Sequence, residues 1–237
     1  YGISEDWDAT LVLSSYDNTA DDPGVAGTAT PPRGRFNNEN VTANLTISNR
    51  NDRFDGFMRL YMDDGSMNWQ QWDATSSSGF DTNTDYLNRG LRAQQNIALT
   101  SATQLTVGLD YDAYGGKAVE LRSTAAATKT MPAKYFYSTA LYTSLSYSFT
   151  LRPDLSLTPS AGVRYNSHNV FESETAPEAG IVLTGEKWQL YGNYARGYNY
   201  AGVYAVWFYN IAWNYQNPAY EELKPERVKH YETGLKL

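Results

Sequence analysis

Apolar and polar residues alternate one for one through most of this chain, a period that belongs to β-strands with two unlike faces. Val41, Ala43, Leu45 and Ile47 alternate with Thr42, Asn44, Thr46 and Ser48. Leu105, Val107, Leu109 and Tyr111 alternate in the same way with Thr106, Gly108, Asp110 and Asp112. The pattern is clearest on either side of Arg152-Pro153-Asp154, where Leu141 to Phe149 and Leu155 to Val163 read as the two arms of a hairpin with one apolar face. Few windows carry apolar residues three and four apart without also alternating, so the chain reads as all-β.

The alternating runs fall near 7–16, 38–49, 56–62, 87–100, 105–114, 135–151, 155–166, 176–184, 188–197 and 226–237, about ten strands. Their connections alternate in length. Those at 17–37, 63–86, 115–134, 167–175 and 198–225 are long, and those at 50–55, 101–104, 152–154 and 185–187 are short. In an up-and-down meander every second connection lies at the same end, and outer-membrane barrels place short turns on the periplasmic side and long loops outside. The expected fold is therefore an antiparallel up-and-down meander of about ten strands, part of a transmembrane β-barrel. A soluble all-β binding module is the competing reading. A Greek-key sandwich would not sort its loops by parity, and its exposed faces would carry more Lys and Glu than these Ser, Thr, Asn and Gln rows.

Composition narrows the function classes. The 237 residues include no cysteine, which excludes disulfides, thiolate metal sites and thiol nucleophiles. The formal net charge is −7 with only 19 Lys and Arg, so no concentrated basic surface exists for nucleic acid. Mean hydropathy is −0.55, and the longest apolar candidate, Ala201 to Trp213, falls short of the roughly 20 residues a spanning helix needs. A membrane barrel escapes that test, because only alternate residues face lipid. The start, Tyr-Gly-Ile-Ser-Glu-Asp, has no signal-peptide pattern, and the chain reads as mature or as an internal piece.

Near the end of the chain, Leu190, Tyr191, Tyr194, Gly197 and Tyr198 are followed by Leu223, Pro225, Glu226, Glu232, Gly234 and Lys236. In order and spacing this resembles the barrel of TonB-dependent outer-membrane receptors of the ferric-siderophore type, over about a fifth of the chain directly. The resemblance implies a receptor in the outer membrane of a Gram-negative bacterium, embedded in the lipid bilayer. It implies import of a scarce small molecule, most commonly a ferric siderophore, with energy from the TonB complex acting through a plug domain. Haem, cobalamin or oligosaccharide are the other cargoes it allows. It also implies a barrel of about 22 strands, so residues 1–237 are expected to be an internal part of that barrel, without plug, TonB box or terminal aromatic strand. A passive pore or surface adhesin on a similar meander is the alternative from another class.

Nothing points to an enzyme, a cofactor or a protein-held metal. His168 and His230 are the only histidines, without a Ser-His-Asp or two-histidine spacing. His230 reads as part of the wall, and His168 as a solvated residue opening an external loop. Asp17, Asp21 and Asp22 are expected in one long loop, with Asp63 and Asp64 opening another; they read as solvated, or as oxygen ligands for calcium. Asp110, Asp112 and Arg164 sit on polar faces and are expected to point into the lumen, where the two carboxylates meet a plug, a cation or water. The aromatic run after residue 197 is the candidate ligand site, with Tyr198, Tyr200, Tyr204, Trp207, Tyr209, Trp213 and Tyr215, and Arg196 adding charge for an anion. Interfacial girdles and the loop's own packing are the other uses of such aromatics. Pro225, Glu226, Glu232 and Gly234 are read as structural, Pro225 at a strand start and Gly234 permitting close approach.

Overall fold

The computed structural model describes residues 2–22, 33–72, 79–122, 128–207 and 220–237. Twelve strands form one sheet: β1 (Gly2–Ser4), β2 (Trp7–Asp22), β3 (Arg33–Arg50), β4 (Phe54–Trp72), β5 (Gly79–Ala98), β6 (Thr103–Arg122), β7 (Lys129–Tyr147), β8 (Phe149–Arg152), β9 (Leu155–His168), β10 (Glu174–Thr184), β11 (Gln189–Asn199) and β12 (Glu226–Lys236). Each long strand pairs antiparallel with the next in sequence, and the four-residue β8 pairs with β9 below the end of β7. Eleven strands thus lie on the main path, an up-and-down meander. A five-residue helix, α1 (Val203–Trp207), and a 3₁₀ turn at Tyr220–Glu222 sit between β11 and β12.

The turns at one end are short, at 51–53, 99–102, 153–154 and 185–188. Asn51 closes the first: its Oδ1 accepts from the amides of Arg53 and Phe54 at 3.1 and 2.8 Å, the local side-chain turn that Asx residues favour. Connections 169–173 and 200–225 lie at the opposite end.

Strands run further than their alternation indicates. Residues 63–86, expected as a loop, belong mostly to strands, since β4 continues to Trp72 and β5 begins at Gly79. Asp17, Asp21 and Asp22 lie in β2, and Asp63 and Asp64 lie in mid-β4, so neither acidic group belongs to a loop. The reason is that backbone hydrogen bonds, not side chains, extend an antiparallel ladder. Asp63 pairs with Thr42 and with Asn88, where both faces have become polar and the alternation has faded.

Register converts the alternation into continuous rows. On one face Ala9, Ile47, Met58, Ala93, Leu109, Leu141 and Tyr165 lie directly opposite one another across seven strands. A second row runs Phe54, Ile97, Leu105, Leu145, Ala161, Ala179, Tyr194 and Tyr231. Among the described residues this face has no covering layer: Leu13 is 67% exposed and Leu141 60%. Along β4 it runs from Phe54 to Met62, about 26 Å at roughly 3.3 Å per residue, comparable with the roughly 25 Å apolar band of an outer-membrane barrel. Beyond Met62 the same face continues as Asp64, Ser66, Asn68 and Gln70.

The opposite face is polar, and Val203–Trp207 together with Tyr220 and Leu223 from the β11–β12 connection lie over β6 and β7. Val206, Trp207 and Tyr220 pack there against Ala118, Met131 and Phe136, the main buried apolar cluster among the described residues. The inner wall is also keyed by tyrosines lying across glycines on the neighbouring strand. Tyr61 covers Gly90, Tyr142 covers Gly108, Tyr86 covers Gly65 and Tyr191 covers Gly234, each a directly opposed pair. A missing side chain leaves the space for the ring, so these pairs hold register.

Candidate functional site

The inner face gathers its functional groups in three consecutive rows. Tyr61, Gly90, Asp112, Ser138 and His168 oppose one another in the first. Arg59, Arg92, Asp110, Ala140, Asn166 and Glu174 form the next, and Phe57, Gln94, Gly108, Tyr142 and Arg164 the third. Above them lies an open cavity of about 580 Å³, lined among others by Tyr61, Asn88, Arg92, Asp112, Tyr114, Ser138, Arg164, Tyr198 and Tyr200.

Asp110, Asp112 and Arg164 all face this interior. Arg164 pairs with Asp110 at 2.7 Å, donates from Nε to the Tyr198 hydroxyl at 3.0 Å and lies over the Tyr142 ring at 5.2 Å. Asp112 accepts from the Tyr61 hydroxyl and stands 3.7 Å from Arg92, whose guanidinium lies over the Tyr61 ring at 5.5 Å. The carboxylates thus meet arginines and a phenol of the wall itself. Both guanidiniums remain at the cavity surface with donors to spare, because each has five N–H groups. Tyr198, having accepted from Arg164, can still donate its own proton into the cavity.

Arg196 and Tyr198 reach this interior beyond Ala195, the last residue of β11 paired with β10. Tyr194 faces outward beside Ala179, and strict alternation would put Arg196 and Tyr198 outside with it. Instead the Arg196 guanidinium contacts Glu174 at 3.4 Å, and Tyr198 contacts Arg164. Glu174 is 2% exposed and also takes Arg227, at 2.6 Å from Nη2 and 2.9 Å from Nε. One buried carboxylate therefore ties both ends of the 200–225 connection to the start of β10.

His168 departs from its expected place as a solvated loop residue. It ends β9 on the inward parity and is buried, in ring contact with Tyr200 at 4.6 Å and Phe171 at 4.8 Å. Its Nδ1 accepts from the amides of Val170 and Phe171, both at 3.1 Å, so the ring proton sits on Nε2 and points at the Tyr114 hydroxyl 2.9 Å away. The imidazole is a structural post that orders 169–171 and supports Tyr114 and Tyr200. Burial pushes the Tyr200 phenol up to about 12, so it stays a neutral hydroxyl; it donates to the Glu172 carbonyl at 3.1 Å.

The other expected residues fall in different places. Trp207 is 4% exposed and packs on Ala118 and Met131, forming part of the loop's own core. Tyr204 lies on α1, and its side chain is outside the described residues, as are Tyr209, Trp213 and Tyr215 entirely. Pro225 is buried immediately before β12, and Glu226 opens that strand opposite Asn199. Glu232 accepts from Tyr191 at 3.0 Å and Asn193 at 3.4 Å, low on the inner face. His230 lies on β12, 3.5 Å from Glu232. Among the described residues no three His, Asp or Glu side chains gather as a metal site. Tyr61, Arg92, Tyr114, Asn166 and Glu174 were not singled out in the sequence. Parity marks Tyr61 and Arg92 as inward, but only register brings them level with Asp112 and Arg164.

The whole chain, residues 1–237, matches the family described as TonB dependent receptor-like, beta-barrel. No curated protein sequence matches it. Among solved structures it is similar to the ferric citrate transporter FecA in its unliganded form, with TM-score 0.62 and 15% identity over 99% of this chain and 39% of that one. It is also similar to the alcaligin outer-membrane receptor FauA from Bordetella pertussis, with TM-score 0.57 and 15% identity over 98% of this chain and 38% of that one. The chain thus spans less than two fifths of the receptors whose fold it shares. An ordered meander with an apolar outer band, a polar inner wall and a full-length family match lead to one assignment: this chain belongs to the TonB-dependent receptor family, as part of its β-barrel.

Proposed function

We propose that the protein to which these residues belong is a receptor of the Gram-negative outer membrane that imports a scarce metal chelate, a ferric siderophore, using energy delivered by a TonB complex through a plug domain. The observation that carries this reading is the inner-face cavity. Arg92 and Arg164 border it with four tyrosines, of which Tyr114 and Tyr198 keep a hydroxyl proton to donate while Tyr61 and Tyr200 spend theirs on Asp112 and the Glu172 carbonyl. Ferric chelates present deprotonated oxygens around the metal. Planar guanidiniums and phenolic donors fit such oxygens, and a wall that already neutralises Asp110 and Asp112 keeps its own carboxylates from repelling them. The uncovered apolar rows on the other face support a bilayer as the outer partner. The names of the two similar structures, a ferric citrate transporter and an alcaligin receptor, support iron-chelate cargo.

The test is uptake of radioactive iron by iron-starved cells carrying or lacking the intact gene, supplied with a panel of ferric siderophores. The reading requires accumulation of at least one chelate that depends on the gene and stops when the inner-membrane proton gradient is collapsed. Gene-dependent entry that survives the collapse would make the protein a passive pore.

A further inference from the structure

A second cavity, of about 300 Å³, lies directly above the polar one and shares Asn88 and Tyr114 with it. Its floor is a single cross-strand row, Asn38, Met67, Thr84, Ala118 and Met131, and α1 roofs it with Val203 and Trp207. Apart from Asn38 and Thr84 these are apolar; Tyr86, Asn88 and Tyr114 complete the side-chain lining, which, unlike the lower cavity's, includes no arginine among the described residues. At roughly 30 Å³ per water-sized group, it holds about ten such groups.

Continuity and length indicate what fills it. From Asp112 in the lower cavity to Ala118 in the upper is six residues along β6, on the order of 20 Å. One elongated molecule can therefore occupy both. Mostly apolar surface continuous with a polar site suits an alkyl or aryl group carried on a polar head.

Resting on the receptor reading above, we propose that the ligand is an amphiphilic chelate lying lengthwise along β5 and β6. Its oxygen-rich head sits between Arg92 and Arg164, and its acyl or aryl arm sits beneath Trp207. The upper cavity is then a specificity site that grades chelates by their apolar arm, while the lower one takes the head common to all of them.

The experiment compares two chelates that differ only in the arm, the iron(III) complexes of N-octanoyl and N-acetyl desferrioxamine B. Binding to the purified full-length protein in detergent is followed through tryptophan fluorescence. The octanoyl complex is expected to bind at least tenfold more tightly. Thr84→Phe, which fills the floor, should abolish the difference without weakening the acetyl complex, and the isosteric Thr84→Val should keep it. Met67→Trp fills the cavity from the neighbouring strand and replaces Thr84→Phe if that variant does not fold. Equal affinity in the wild type, or a preference that survives both filled cavities, overturns this proposal and leaves the receptor reading standing. Failure of both complexes to bind overturns the amphiphile proposal, while the chelate reading stands or falls by the uptake panel.

Discussion

The outer face of the lower wall and the inner face above it are built from the same strands, yet they obey different rules. The outer rows need only that each position be apolar. Ala9, Ile47, Met58, Ala93, Leu109, Leu141 and Tyr165 differ in size and shape and share only their apolar character. The inner rows need particular partners. Arg164 reaches Asp110 across β7, and Tyr61 reaches Asp112 across β5, which carries Gly90 at the crossing. One face tolerates substitution by class and resists charge; the other tolerates polarity and resists any change of partner. That difference is what a membrane-spanning receptor requires of its two surfaces.

The largest expected effect comes from charging the outer face. Met58→Arg places a guanidinium in the middle of the apolar band and should cost about 2–4 kcal/mol of folding free energy in a bilayer. Ser66→Arg, eight residues along the same face of the same strand, is exposed beyond the band and should stay within about 0.5 kcal/mol. Urea titration of both variants in lipid vesicles separates them, and equal costs would remove the band.

Breaking the inner partnership comes next. Glu174→Ala strips the buried carboxylate from Arg196 and Arg227, whose side chains are 32% and 43% exposed and so recover water in part. The expected loss is therefore about 1–3 kcal/mol, below that for a wholly buried pair. Proteolysis between residues 200 and 225 should accelerate in this variant, because both ends of that connection are released.

Keyed and open glycines give a sharper contrast of similar size. Gly108→Ala drives a methyl group into the Tyr142 ring and should cost about 1–3 kcal/mol. At Gly197 nothing lies within 4 Å, and the same substitution should be nearly silent. The smallest effect is Tyr198→Phe, which removes the acceptor for Arg164 and should cost about 0.5–1.5 kcal/mol. It should lower chelate affinity more than it lowers stability. Since Tyr200 titrates only near 12, neutral below that value and anionic above it, it should contribute no pH dependence to binding between pH 6 and 10.

The contrast between the faces also explains what could be read from the sequence. Alternation is a local signal, so Leu105 to Tyr111 and Val41 to Ile47 announced the wall, its strand directions and its inward set, Asp110, Asp112 and Arg164 among them. It fell silent where both faces turn polar, which is why β4 and β5 continue through residues read as loop. His168 was misplaced for the same reason, since two further residues of β9 carry it onto the inward parity and under Tyr200. The height at which two inward residues meet depends on register across strands far apart in sequence. Tyr61 and Asp112 are separated by 51 residues and Glu174 and Arg227 by 53, and no periodicity reports such meetings. Arg196 and Tyr198 were reached through the aromatic run that begins after residue 197, because alternation from Tyr194 would have placed them outside.

The absence of cysteine makes the two-faced wall directly measurable. Single cysteines placed in turn at positions 57–62 and 107–112 can each carry a nitroxide label in the full-length protein reconstituted into bilayers. Collision rates with lipid-soluble oxygen and with a water-soluble nickel chelate then report which face each label meets. Labels replacing Met58, Leu60, Met62, Val107, Leu109 and Tyr111 should collide preferentially with oxygen, and those replacing Arg59, Tyr61, Asp110 and Asp112 with nickel. Rates that do not alternate from one residue to the next would contradict the account.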